Sequence, residues 1–305
     1  MRLIKPSFSI WDQQEGLEGV YKQIERAGRV CYKSEDKITE NSAKEFVDRM
    51  IKSGHGAMLE HGTVYLKIPY GTMDDRGEFS NEPIVIKYID NPYSVVMNNS
   101  ENDYWYITSN YRVIIENEWI DDLQYLCEPT EFHAKRITVH FVCDRGVSHE
   151  FVRHRVMSFA QESTRYCNYS KDKFGNEVTF IEPCWLEDYN YEGNTYYNGF
   201  LVALRAAEAN YFDLMKKWED RISDKRYKTG FRNNPWTPQQ ARAVLPNSLK
   251  TELVMTGFVS DWEHFFKLRD AGSAHPQARE LAHPLHMEFL RRNYLVDLYD
   301  EVNPD

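Results

Sequence analysis

Residues 153–166, RHRVMSFAQESTRY, bring Arg153, Arg155 and Arg165 together with His154 in a chain whose formal net charge is −10. Guanidinium groups stay charged at physiological pH and match phosphate or carboxylate oxygens two at a time. Phe151, Val152, Val156, Met157 and Phe159 flank them, so the stretch predicts a partly buried cationic pocket that an anion fills. Arg153 and Arg155 are two residues apart, and a regular helix cannot present both on one face. The spacing implies two anions at two sites, or a departure from the helix between them. Ser163 and Thr164, before Arg165, add donors of the kind that hold phosphate. A second reading stays open: the arginines pair with local carboxylates such as Glu150 and Glu162.

Other chemistry is weaker on its spacing. HEFVRH resembles a zinc-binding helix, but His149 and His154 are five apart and point to different sides of a helix. His275, His283 and His286 come without a supporting cysteine or carboxylate pattern, so no metal is expected. There is no Walker loop and no G-x-G-x-x-G. Cys167 lies near Arg165, yet no partner base is evident, and a small buried thiol is the simpler reading. The five cysteines (31, 127, 143, 167 and 184) form no C-x-x-C pair. A reducing, cytoplasmic setting is expected.

The acidic balance argues against general nucleic-acid or membrane-surface binding. The N-terminus MRLIKPSFSIW has no signal-like apolar run. With 20 Tyr, 16 Phe and 7 Trp, flat ligands would find stacking surfaces, although aromatics mostly fill cores.

The positioning elements follow from periodicity. Residues 14–28, 40–53, 111–127 and 197–222 read as helices, and 63–68, 83–89, 136–143 and 178–183 as strands. Residues 91–105 suggest a hairpin or exposed insertion. A helix is expected to start near Ser148 with Glu150 in its first turn. Thr237 and Pro238 mark a helix start. SDWE (260–263) predicts a capping box opening a helix through Leu268. A last helix is expected from Pro276 towards Tyr294, kinked or split at Pro284. YKTGFRNNPW (227–236) reads as a linker or loop. The sum is one α+β domain over 1–305, a mixed or antiparallel sheet packed with helices, with insertions near 70–105 and 185–232.

Beyond these readings, the chain resembles the flavin-dependent thymidylate synthases. Arg153, His154 and Arg155, seven residues, then Ser163 is similar to their R-H-R-x7-S signature. GHGAMLEH (54–61), ARAVLP (241–246), WEHFFKLR (262–269) and AHPQARELA (274–282) resemble further blocks in the family's order. The likeness spans roughly residues 25–290.

The resemblance implies the family's fold and the conversion of dUMP to dTMP. Methylenetetrahydrofolate would be the carbon donor, and FAD reduced by NADPH would carry the hydride. It also implies a homotetramer with active sites at subunit interfaces. Carried onto this chain, Glu150, Arg153, Gln161, Glu162, Ser163, Thr164, Arg165, Arg242 and Arg269 would contact dUMP. Arg269 would polarise the uracil as the catalytic residue. His55, Glu60, Arg153, His154, Arg155, Gln161 and His264 would lie against the flavin. Ser163 would be a ligand contact rather than a nucleophile.

The chain departs from the family pattern at several of these positions. Glu150 stands where a Gln is common, and an ionised carboxylate accepts but does not donate. Gln161 stands where a Glu is common. TGFVSD (256–261) puts Phe258 and Ser260 where an Asn and an Arg help to hold FAD in some members. His264 replaces an amide, and Ala57 a hydroxyl residue. Two alternatives follow: altered one-carbon chemistry on the same scaffold, or a nucleotide- and flavin-binding protein without turnover.

Overall fold

The computed structural model describes residues 1–99, 102–191, 193–216 and 235–295. Its centre is an antiparallel sheet of β2 (Ser7–Trp11), β6 (Arg136–Asp144), β9 (Lys250–Phe258) and β7 (Ser158–Gln161), in the order β2-β6-β9-β7. Alternation along RITVHFVCD sends Ile137, Val139, Phe141 and Cys143 to one face. There they form a core with α9 (Val259–Arg269) and α10 (Pro276–Arg291), through Trp262, Phe265, Leu281 and Phe289. The indole nitrogen of the fully buried Trp262 donates to the Ile137 carbonyl at 3.1 Å, tying α9 to β6.

The opposite face of the sheet meets α1 (Gly16–Tyr32), where Ala27 and Val30 pack on Ala160 and Val254. Val20 and Ile24 of the same helix enter a second core with α2 (Ser42–Lys52). That core also holds a second antiparallel sheet of β3 (Thr63–Pro69), β5 (Tyr104–Asn110) and β4 (Val95–Asn98), ordered β3-β5-β4. α1 ends at Lys33, which takes φ 47° while its N–H closes on the Val30 carbonyl at 3.2 Å. A third cluster joins the parallel pair β1 (Arg2–Ile4) and β8 (Thr179–Ile181) to α7 (Thr195–Met215). The short α3 (Gly56–Leu59), α5 (Tyr111–Glu116) and α6 (Arg145–Phe151) sit at strand ends, and α8 (Pro238–Ala241) packs its Ala241 into the cluster with α7.

Several expectations are corrected. Residues 83–89 are not a strand: α4 runs Glu82–Ile89, with Pro83 in its first turn and Val85 and Tyr88 buried at helical spacing. The 111–127 pattern breaks after Glu116, where Glu118 takes φ 62° before a 3-10 turn over Ile120–Tyr125. α6 begins at Arg145 rather than near Ser148, because the Asp144 carboxylate caps it by accepting from the Val147 N–H at 2.8 Å. Glu150 therefore lies in its last turn. The cap of α9 is also earlier than SDWE suggested: Asp261 accepts from the Phe258 N–H at 2.8 Å. α10 is not split at Pro284, which sits on the exposed face where water can satisfy the carbonyl left without a donor.

The strands at 63–68, 136–143 and 178–183, the hairpin of β4 and β5, and the Thr237 cap appear as read. The reading over 217–222, and the linker through residue 234, lie outside the described residues. No helix among the described residues is long and apolar enough to cross a membrane.

Candidate functional site

The site is built where β6 turns into α6 and returns as β7. Asp144 caps α6 and also accepts from Gln277 of α10 at 3.0 Å, so the helix is pinned at its start. After Phe151 the chain leaves the helix. Arg153, His154 and Arg155 occupy a turn anchored by the buried Phe151 and Met157 on either side. Neither arginine is helical, and they face different spaces. Arg153 lines a cavity of about 480 Å³ with Glu150, His154, His264 and Arg269. Arg155 lines another of about 650 Å³ with Glu60, Arg112, Arg136, Phe258 and Asp261. The two-site reading of the odd spacing thus has its structural counterpart.

In the smaller cavity Arg269, the last residue of α9, is held at three points. Its Nη1 donates to the Glu150 carboxylate at 2.6 Å and Nη2 to the Glu150 carbonyl at 2.8 Å. Its Nε donates to His154 Nε2 at 3.1 Å. His154 must therefore be neutral, with its proton on Nδ1. Burial, then the positive field of Arg269 and the nearby His264, lowers its pKa to about 4. The ring packs on Phe265 at 5.1 Å. Arg269 and Arg153 can donate to carbonyl or phosphate oxygens here, and Glu150 can accept from a ring N–H.

The carboxylates of the competing reading are engaged elsewhere. Glu150 pairs with Arg269, from a distant helix, and not with Arg153. Glu162 is buried against Lys250 at 2.8 Å. Lys250 also contacts Glu252, which binds Lys33 at 2.8 Å and His140 at 2.9 Å. Burial alone would raise the pKa of Glu252, but His140, Lys250 and Lys33 more than offset it and hold it well below the usual carboxylate range. Among the described residues, no carboxylate pairs with the side chains of Arg153, Arg155 or Arg165. All three are exposed in the single chain, less enclosed than the apolar flanks suggested.

The remaining predicted residues fall outside both cavities. Arg242 donates to the Thr164 hydroxyl at 2.8 Å, beside Arg165, whose backbone N–H donates to the Ser163 hydroxyl at 3.3 Å. Gln161 spends its amide on Ser148 at 2.9 Å and Thr251 at 3.3 Å. His55 is exposed at the start of α3. Sequence reasoning missed Arg112, Arg136 and Tyr93. The only trace of Arg136 was a lone cation opening an otherwise clean apolar strand. Burial raises the pKa of every cysteine, Cys31 to about 11 and Cys167 to about 12 among them, so none is a ready thiolate.

A family model described as thymidylate synthase complementing protein matches residues 86–292. The flavin-dependent thymidylate synthase of Mycolicibacterium gilvum (strain PYR-GCK) is 33% identical over 161 residues, 53% of this chain and 57% of the relative. The enzyme of that name from Mycobacterium tuberculosis (strain ATCC 25177 / H37Ra) is 33% identical over 138 residues, 45% of this chain and 50% of the relative. The chain therefore spans just over half the length of these relatives at most. A solved structure of the UMP/dUMP methylase PolB from Streptomyces cacaoi, bound with 5-Br dUMP, aligns over 95% of this chain and 93% of its own. At a TM-score of 0.40 and 16% identity, that likeness is too distant to bear on function.

Proposed function

The chain belongs to the thymidylate synthase complementing protein family, and from that premise we propose that it converts dUMP to dTMP. Methylenetetrahydrofolate is the carbon donor in this reading, and an FAD reduced by NADPH supplies the hydride. The observation that carries the reading is the meeting of Arg269 with Glu150 and His154, over a hundred residues away in sequence, in the cavity that Arg153 also lines.

In the smaller cavity, Arg269 and Arg153 bind the anionic nucleotide. Arg269 stabilises the negative charge that develops on the pyrimidine carbonyl when the ring is attacked, and its three fixed contacts keep that cation in place beforehand. Neutral His154 fixes the guanidinium orientation by accepting from Nε. The larger cavity fits a flavin dinucleotide in size, about 650 Å³, and in charge, since among the described residues no carboxylate bonds Arg136 or Arg155 there. Glu60, Arg155 and Arg136 are the residues that would hold it. No cysteine serves as nucleophile in this scheme.

Ser163, Thr164, Arg165 and Arg242 gather outside the cavities of one chain. In this reading they complete the dUMP phosphate site across a subunit interface of a homotetramer, His55 and Gln161 complete the flavin and folate surroundings, and His264 adds to them from the wall of the smaller cavity. The domain is single over 1–305, with its excursions between the family's blocks.

The test is direct. Purified protein is supplied with dUMP, methylenetetrahydrofolate, NADPH and FAD, and the product is identified by mass. Formation of dTMP supports the proposal. Folded, flavin-loaded protein that yields none refutes it, and a product of another mass assigns different one-carbon chemistry.

A further inference from the structure

The larger cavity has a wall that the arginine signature does not supply. The loop Asn91–Tyr93 and the Arg112–Asn117 stretch, both from the chain between β3 and β6, face Arg155, Met157 and Phe258 across it. Its charges do not cancel pairwise. Glu60 and Glu116 are both spent on Arg112, at 2.6 and 2.8 Å. Asp261 is occupied by the Phe258 N–H, although its field still reaches Arg136.

Among the described residues, the Arg136 side chain bonds only neutral oxygens: the Glu60 carbonyl and the Thr63 hydroxyl at 3.2 Å, and the Ser158 hydroxyl at 3.5 Å. Its guanidinium carbon stands 5.5 Å from the Phe258 ring centroid. Arg155 has no side-chain partner among the described residues. Two guanidiniums thus face one cavity with no carboxylate of the described residues bonded to either. Arg136, partly withdrawn from water without such a partner, costs free energy that a bound anion returns, and the exposed Arg155 can reach the same anion.

Resting on the dUMP-methylating reading, we propose that Arg136 and Arg155 clamp the diphosphate bridge of a dinucleotide cofactor, with the Asn91–Tyr93 loop closing on its adenylate half. A diphosphate carries two negative charges, one for each open guanidinium, and planar guanidinium forks match its oxygens. Tyr93, 61% exposed at the rim, offers a ring face for a base to stack on. FAD and NADPH share the diphosphate chemistry, so the experiment separates them.

Flavin-free protein is titrated with riboflavin, FMN and FAD by quenching of flavin fluorescence, and separately with NADPH. The wild type is expected to prefer FAD to riboflavin by about a hundredfold or more, on the scale of two charge-assisted contacts. Arg136→Gln is expected to weaken FAD about tenfold and leave riboflavin unchanged, while Arg136→Lys keeps most of the preference. Tyr93→Ala, at an exposed position, should weaken FAD about fivefold without affecting FMN.

If Arg136→Gln weakens NADPH and not FAD, the clamp belongs to the nicotinamide dinucleotide. Equal affinity for riboflavin and FAD in the wild type, with NADPH unaffected by Arg136→Gln, overturns the clamp while leaving the functional reading intact. Failure to bind any flavin overturns the functional reading itself. Should Arg136→Gln not fold, Tyr93→Ala decides: no change for either dinucleotide overturns the proposal.

Discussion

Glu150→Gln isolates the electrostatics of the smaller cavity. The substitution keeps the shape and the backbone carbonyl contact, and removes one negative charge 2.6 Å from Arg269 Nη1. The side chains are 15% and 30% exposed, so the pair is only partly withdrawn from water. Discounted for solvent, the folded state should lose about 1 kcal/mol, roughly 2 °C in Tm. Ligand binding should move the other way. An anion about 6 Å from the lost charge, at an effective dielectric of about 40, gains about 1.4 kcal/mol per unit charge, or close to tenfold in affinity. Calorimetric titration with dUMP at low salt reads this directly, and the gain should shrink as salt is added. Unchanged or weaker dUMP binding in a folded Glu150→Gln protein would show that the nucleotide does not sit in the field of Glu150.

His154 makes stability depend on pH. Its folded pKa, lowered to about 4 mainly by burial, lies below its unfolded value, so its contribution is complete above about pH 6.5 and is lost as pH falls towards 4. Urea midpoints should drop by the equivalent of about 1–2 kcal/mol across that window, and His154→Gln should flatten the slope. Lys250→Met strands Glu162 and Glu252 without their shared cation and should cost about 3–5 kcal/mol in chemical denaturation, the buried Glu162 dominating. Trp262→Ala opens the core between α9 and the central sheet and should cost about 3–5 kcal/mol.

The central sheet was legible because β6 alternates cleanly, with Ile137, Val139, Phe141 and Cys143 on the one face that packs on α9 and α10. The same local logic misled at 83–89. Ile84, Val85, Ile86 and Ile89 have strand propensity, but a proline in the first turn and a core that buries Val85 and Tyr88, with Ile84 packed against it, make the segment helical. At the site, residue types were readable and partners were not. Glu150 and Glu162 were candidate partners for neighbouring arginines. They instead found Arg269 and Lys250, more than eighty residues away, because the tertiary fold and not sequence distance decides which charges meet. Arg136 left only the trace of a cation at a strand end, because nothing in a strand pattern says whether the end residue faces a cavity.

The turn at 153–155 explains why one short motif can serve two cavities. In a helix, positions two apart point about 200° apart, to nearly opposite sides of one rod, so only one of them could face whatever packs beside it. Here the helix stops at Phe151 and the strand resumes at Ser158, with Met157 buried between them. The intervening residues straddle His154, whose backbone closes on Phe151 and Met157 at 3.2 and 3.0 Å. His154 is thus both the pivot of the turn and the acceptor for Arg269. A substitution that let its ring move would disturb the orientation of Arg269 in one cavity and the placement of Arg155 in the other at the same time. Losses of nucleotide and of flavin affinity should therefore be coupled at His154, and separable at Arg269 and Arg136.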